Sequence, residues 1–380
     1  MRKFLSFSIG LISLLSLLFL GSLRLWAQEL VWEEEGQIFH DPNIHNVEVL
    51  YVPGIFTNYS YRMYFNQEGK IKSATSLEGR TFTIEEGNRL EEGTAPSVIK
   101  LDDGRYRIYY HIDDGSGKTV VKSAISKSTL DTDSAMLEFA IETGVRLSYG
   151  GEFDPDGVLH PSVIALPNNG GYRMYYDGEI KKTDQEFTWR ILSANSPDGL
   201  TWTKDEKVRI NVEEDSPLGA DLAWNAHARY VPLTGTYELY FGVQTPNDEF
   251  IDGIYLATSN DGLLFSDPVA QLTPEEESGE FGPGGQTGSY QDPFVLETET
   301  EKRMYYWIQG SGIYSARLVS KTAEEPQPLW ETVKQQLSEL WEKIKEFELP
   351  NNFELYIIPT ILLAGGAAAV IYLWRSRIRR

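Results

Sequence analysis

Cysteine is absent from all 380 residues, so no disulfide framework braces the fold. A large β-core can do without one, and the absence alone neither requires nor excludes export. Positive charge is the second scarcity. Seven basic residues (Arg2, Lys3, Arg24, Arg375, Arg377, Arg379 and Arg380) sit at the two ends, whereas every acidic residue lies between 29 and 374. That span holds 27 basic against 56 acidic residues, a net charge of −29. Such a surface repels phosphate backbones and anionic lipid, which argues against nucleic acid as a partner. Keeping an exported domain soluble accounts for most of this charge. Aromatic residues are plentiful at 12%, with 41% hydrophobic residues overall, a balance that suits a soluble β-rich domain.

Residues 159–202 contain the unit the chain repeats. His160-Pro161-Ser162-Val163-Ile164 opens an apolar run, and Asn168-Asn169-Gly170-Gly171 reads as a hairpin turn, since those residues tolerate positive φ. Tyr172-Arg173-Met174-Tyr175-Tyr176 reads as a second strand, being rich in aromatics. A third strand ends in Ser193-Ala194-Asn195, Ser196-Pro197-Asp198-Gly199 turns the chain, and Trp202 starts a fourth. The second-strand signal recurs at Tyr61, Tyr106, Tyr172, Tyr237 and Arg303. The spacing of about 45 to 66 residues is that of a four-stranded propeller blade. An all-β, five-bladed β-propeller over residues 28–320 is therefore predicted. The fifth unit has three strands, and residues 30–38 resemble a fourth, so this N-terminal strand is expected to close blade five.

The ends read differently. Residues 1–27 form a basic start and an apolar stretch, a secretory signal with cleavage expected at Ala27. An uncleaved signal anchor is the alternative. Residues 321–350 form a linker and an amphipathic stalk helix, with Trp330, Val333, Leu337, Leu340, Ile344 and Phe347 on one seam. Residues 351–374 form a transmembrane helix whose uncharged stretch runs from Leu355 to Trp374, and 375–380 a basic cytoplasmic tail. Positive residues stay in the cytoplasm, so the propeller is expected outside the cell on a single-pass anchor. Leu349-Pro350 before that span is similar to a sortase-processed wall anchor. Asn352 and Phe353 stand where that motif needs Thr and Gly, which points to a permanent membrane anchor.

Chemistry in a propeller sits at the mouth of the central channel, where the innermost strands begin. Alignment on x-Pro-x-aliphatic makes Asp41, Ala95, His160, Asn225 and Asp292 the lead positions, with Asn225-Ala226-His227 the loosest match. Glu91, Asp156 and Asp221 stand four residues earlier in blades two to four. Together with Trp224 and Tyr290 they predict an acidic, partly aromatic funnel. The repeated Ser-x-Asp-Gly turns, at Asp198, Asp261 and with Glu78 in place of Asp, read as structural: the acid bonds backbone N–H groups and the Gly takes positive φ. Asp41 and Asp292 have a second reading as caps of turns before Pro-initiated strands.

Five blades opening on Asp-Pro, with YRMYY-type second strands and SPDG-type turns, resemble the furanosidase superfamily of glycoside hydrolase families 43, 32, 62 and 68, which includes arabinanases, invertases and levansucrases. The resemblance implies a glycan partner and a site with a blade-one Asp as base or nucleophile, a blade-three Asp that orients substrate, and a Glu acid. Asp41 matches the first, His160 stands at the second, and Asn225 lies near the third, where it cannot donate a proton as an acid must. Asp156 or Asp221 would then have to act as the acid. His160, Asn225, His227, Asp292, Glu91, Trp224 and Tyr290 are expected to line the substrate site. No dedicated cofactor is expected, although some members of the superfamily hold an axial cation, which would place Ca²⁺ among these groups. Three readings stay open: a membrane-tethered glycosidase, a catalytically silent carbohydrate-binding propeller, and a protein-interaction propeller on a stalk. Oligomeric state is not readable from the residues.

Overall fold

A computed structural model of the chain describes residues 29–53, 58–128, 133–183, 187–210, 222–244, 253–273 and 289–321. The chain divides into a large compact unit, 31–319, and a second formed by both termini. The expected signal peptide, transmembrane helix and cytoplasmic tail lie outside the described residues, as does the stalk helix. Among the described residues no helix is long and apolar enough to cross a membrane.

The described residues are all-β, with short 3-10 turns. β1 (Glu29–Phe39) is followed by a meander of β2 (Ile44–Tyr51), β3 (Tyr61–Gln67), β4 (Lys70–Ser76) and β5 (Thr83–Ile84). β6 (Thr94–Lys100), β7 (Tyr106–Asp113), β8 (Thr119–Ser126) and β9 (Phe139–Ile141) make the second meander. β10 (Gly157–Ala165), β11 (Tyr172–Lys181), β12 (Phe187–Ser196) and β13 (Thr203–Lys204) make the third. The fourth is β14 (Leu222–Val231), β15 (Thr236–Gln244), β16 (Gly253–Ser259) and β17 (Val269–Leu272). β18 (Tyr290–Glu297), β19 (Lys302–Ile308) and β20 (Gly312–Lys321) complete the chain order. The second and third meanders touch edge to edge through one parallel pairing, Gly157 with Thr119. β1 pairs with β20, so the strand nearest the N-terminus supplies the fourth strand of the last sheet. This is the closure expected from residues 30–38.

The first strands pack in a cycle: β2 against β6, β6 against β10, β10 against β14, β14 against β18, and β18 back against β2. Each second strand is covered on both faces by neighbouring sheets, which is why its burial is unbroken instead of alternating. Tyr61 to Asn66 and Tyr106 to His111 are buried throughout. Separate apolar clusters fill the gaps between successive meanders, one of them joining Phe39 and Phe65 to Phe294 and Tyr305, and another taking in Trp32.

The two repeated motifs turn out to be halves of one lock. In the Ser196–Gly199 turn the Gly199 N–H donates to Ser196 Oγ at 2.8 Å, while Leu200 and Thr201 N–H both donate to Asp198 Oδ1 at 2.8 Å. The turn then accepts hydrogen bonds from the meander before it: Tyr109 Oη to Gly199 O at 2.8 Å and Arg107 Nη1 to Asp198 O at 3.2 Å. Arg173 and Tyr175 hold the Asp261-Gly262 turn in the same way, and Arg303 and Tyr305 hold Glu78-Gly79. The second meander lacks the tight turn, and its 3-10 helix Asp133–Met136 offers the Met136 carbonyl to Tyr64 and Arg62 instead. Glu238 replaces the arginine in the fourth meander. Its neighbour takes its last strand from β1, so no such turn is there to be held.

Each of these arginines is neutralised by an acid on the fourth strand or just beyond it: Arg62 by Glu85, Arg107 by Glu142, Arg173 by Asp205 and Arg303 by Glu35. Glu35 of β1 thus takes the part that Glu85, Glu142 and Asp205 play within their own meanders. Asp198, Asp261 and Glu78 are structural, as expected.

Candidate functional site

Each first strand contains one bulge, with register slips at His45/Glu48, Thr94/Ser97, Leu159/Ser162, Trp224/His227 and Gln291/Phe294. At every slip one residue takes a left-handed conformation: Asn46 (φ 52), Ala95 (φ 51), His160 (φ 44), Asn225 (φ 53) and Asp292 (φ 52). Asn and Asp accept this conformation more readily than Ala or His. Bulges re-aim side chains near sites and are treated as built features. Here the same device recurs where the cycle of first strands meets.

Four of the five expected lead positions are these bulge residues. In the first meander the bulge falls on Asn46, and Asp41 lies five residues earlier in the turn before β2. Its carboxylate accepts from Asn43 N–H (2.9 Å), Asn43 Nδ2 (3.0 Å) and Gln67 Nε2 (2.7 Å). The Asn43 N–H bond, though opposed by some desolvation, holds the carboxyl below its ordinary range, with help from Gln67. The alignment of Asp41 with the other lead positions is therefore corrected to Asn46. Asp41 is followed by a Pro that opens a turn, whereas Pro96, Pro161 and Pro293 follow bulge residues directly.

Four of the five bulge residues, all but Ala95, are wired into one network. His160 Nδ1 and Asp177 Oδ2 share a hydrogen bond of 2.7 Å, and the same oxygen accepts the Asn225 backbone N–H at 2.8 Å. Asn225 Nδ2 donates to Asp292 Oδ1. Asp292 Oδ2 accepts from Asn46 Nδ2 at 3.0 Å and from Asn46 N–H at 3.4 Å. His45 stands 3.9 Å from the same oxygen, and its Nε2 accepts from Asn66 Nδ2 at 2.7 Å. His111 Nδ1 accepts the His160 backbone N–H at 3.2 Å.

Burial governs the ionisation of this network. It works against charge on His160, but the hydrogen bond and charge of Asp177 outweigh it and raise the imidazole. Burial raises Asp177 in spite of His160. Burial drives His111 well below its ordinary value, reinforced by His160 and His45. Asn46 Oδ1, Asn66 Oδ1 and Asp177 Oδ1 are buried acceptors with no partner among the described residues. Such groups are costly to leave unmade, and core atoms such as Tyr110 Oη and Tyr306 Oη share the condition.

Two residues further along each first strand, a second ring stitches neighbour to neighbour. Ser97 Oγ accepts Val163 N–H at 3.0 Å, Ser162 Oγ accepts Ala228 N–H at 2.9 Å, and Glu48 accepts the Val98 N–H. His227 Nε2 donates to Val295 O at 3.0 Å, its ring 4.2 Å from that of Phe294. Desolvation, opposed by the Val98 N–H, pushes Glu48 up to about 8, and burial with the nearby Arg229 charge drives His227 down to about 3. The axial cleft lined by Asn46, Glu48, Asn225, His227 and Asp292 is open to one side and leaves about 20 Å³, room for a water.

The other expected site residues are dispersed. Asp156 accepts the Lys181 N–H at 2.9 Å and pairs with Lys118 at 3.2 Å; these contacts, the backbone bond foremost, lower its pKa. Glu91 is exposed beside Asn88 and Lys70. Neither shares a hydrogen bond with the axial network. Tyr290 is a core residue against Tyr306 and donates to Glu34 at 2.9 Å, so it does not line the mouth. Trp224 is buried edge-on to Trp189. Asp221 lies outside the described residues.

Reading the residues alone missed Asn46, Glu48, Asp177 and Trp189. The position after the second-strand motif was a usable signal for Asp177: Asn66, His111 and Asp177 occupy it in three successive meanders. Among the described residues no group of three or more His, Asp or Glu is arranged to hold a metal ion. Ca²⁺ takes six to eight oxygens, whereas both oxygens of Asp292 are committed to amides, so the residues present do not fit an axial Ca²⁺.

No family model matches the chain, and no curated protein matches it. Solved structures do. A glycoside hydrolase superposes with a TM-score of 0.55 at 14% identity over 78% of this chain and 95% of its own. A thermostable family-43 glycoside hydrolase gives 0.54 at 16% identity, over 75% and 95%. A glycosyl hydrolase from Bacteroides ovatus gives 0.51 at 15% identity, over 77% and 91%. The fold is thus the propeller-like fold of these glycoside hydrolases, and the resemblance to the furanosidase superfamily holds at the level of fold.

Proposed function

We propose that this chain is a five-bladed, glycoside-hydrolase-like propeller that binds a polysaccharide or oligosaccharide at the axial mouth without cleaving it by the two-carboxylate route. The reading of five blades rests on the five meanders, the closed cycle of first strands and the pairing of β1 with β20. The absence of cleavage rests on one observation above all: the bulge positions of the first, third and fourth meanders carry Asn46, His160 and Asn225. Glycosidic cleavage needs one carboxyl group to protonate the leaving oxygen and another to attack or activate water. Amides do neither. Asp177 and Asp292 remain at the mouth, but their hydrogen bonds to His160, Asn225 and Asn46 suit them to orienting hydroxyl groups. The signal-like residues 1–27 and the apolar span 351–374 support a cell-surface location on a membrane anchor.

The test uses the full chain on arabinan, xylan and fructan. Binding on a glycan array with no release of reducing sugar is the expected result, and Asp292→Asn or Asn46→Ala should weaken that binding. Sugar release by the wild-type chain that disappears in Asp41→Asn or Asp177→Asn would sink the reading and restore a hydrolase. Binding to no glycan at all would favour the protein-interaction alternative.

A further inference from the structure

The third meander departs from the first, the second and the last in the length of its second strand. Past Asp177, β11 continues for four residues to Lys181, whereas β3 ends one residue past Asn66, β7 two past His111 and β19 one past Trp307. The extension pairs Glu179 with Trp189 and Lys181 with Phe187. It raises a row of rings beside the mouth. Phe187 and Trp189 lie 4.7 Å apart between centroids, Trp189 meets Trp224 at 6.1 Å, and Trp189 stands edge-on to the His160 imidazole at 5.8 Å. Exposure falls along the row from 40% at Phe187 to 5% at Trp224.

Resting on the proposed glycan reading, we infer that this row is the stacking surface for a second sugar residue, and that the site selects neutral oligosaccharides over single sugars and over uronates. Aromatic rings take the apolar C–H face of a sugar, and carboxylates beside them take its hydroxyl protons. Both kinds of group are present. Glu179 Oε1 accepts from Trp189 Nε1 at 3.3 Å, so the ring is held in one orientation. Asp177, fully buried, holds the His160 imidazole against which that ring stands. A ligand that reached both the network and this row would lie across the mouth, where Trp189 borders His160. Glu179 and Asp292 give that wall a negative lining, against which a uronate would be repelled; Asp177 is paired with His160 at 2.7 Å, and Glu179 has Lys181 at 3.5 Å.

Calorimetric titration of the full chain with neutral xylo- and arabino-oligosaccharides of one to six residues, and with oligogalacturonates, tests this. Affinity should rise about tenfold from one residue to two or three, the scale of one good aromatic contact, and oligogalacturonates should bind more weakly at every length. Trp189→Ala should remove that rise. Phe187→Ala, at an exposed position where folding is not at stake, should reduce it several-fold. A rise with length that is unchanged in both variants, or tighter binding of galacturonates, overturns the inference while the glycan reading stands. Failure of the wild-type chain to bind any of these sugars removes both.

Discussion

Glu35 is the place to test how the N-terminal strand completes the last sheet. Its carboxylate accepts from Arg303 Nε at 2.7 Å, Arg303 Nη2 at 3.4 Å and Ser315 Oγ at 3.2 Å. The Arg303 side chain is only 6% exposed. Glu35→Ala leaves that guanidinium buried with Glu301 and the Glu78 carbonyl as remaining partners. Removing one partner of a buried pair costs about 3–5 kcal/mol, and the surviving contacts place this case near the lower figure. At about 2.1 cal/mol/K per residue, unfolding of the unit 31–319 carries an entropy of about 0.6 kcal/mol/K. The midpoint should therefore fall by about 5 °C. Scanning calorimetry is the assay, with Glu33→Ala as the control. Glu33 lies on the same strand but is 63% exposed and 3.9 Å from Arg317, so its loss should shift the midpoint by about 1 °C or less. Equal shifts for the two variants would show that β1 is not locked to the fold through Arg303.

Two further perturbations probe the axis and the turns. Glu48 is held at about 8 instead of 4.5, so between those values the folded chain binds the extra proton and stability falls as pH rises. The penalty is absent below about pH 4.5, reaches about 5 kcal/mol at most above pH 8, and is removed in Glu48→Gln. The stability gap between variant and wild type should therefore widen from pH 5 to pH 8 in urea titrations, and a gap constant with pH would refute the buried neutral acid. Gly199→Ala places a Cβ 2.6 Å from Tyr109 Oη and 2.7 Å from Arg107 Nη1 at φ +72, which should cost about 1–3 kcal/mol. Gly235→Ala, at φ +71 with nothing nearer than 3.9 Å, carries the φ penalty alone, about 1 kcal/mol, and a result no smaller than that of Gly199→Ala would contradict the turn lock.

The repeat was legible because it is written in residue types. Tyr-Arg-x-Tyr strands need aromatics on both faces, and Ser-x-Asp-Gly turns need a hydroxyl, an acid and a residue that tolerates positive φ; each leaves a visible string. The fourth-strand character of residues 30–38 was legible for the same reason, in its run of acids ending at Gly36. The site was less so. Asp41-Pro42 matched the motif of the other lead positions letter by letter, yet the bulge falls at Asn46-Val47, where no proline marks it. Trp189 sits in a hairpin whose extra length shows only when registers are compared.

What the residues alone determined is the unit and its repetition, because strand burial and turn chemistry act over a few neighbours in the chain. The tertiary structure decided which side chains meet at the axis. Asn46 and Asp292 lie 246 positions apart, and Asn225 and Asp177 lie 48 apart. Asn46, Asn225 and Asp292 are brought to the axis by a one-residue slip in each first strand, and at Asn46 and Asn225 no proline follows to mark it in the sequence.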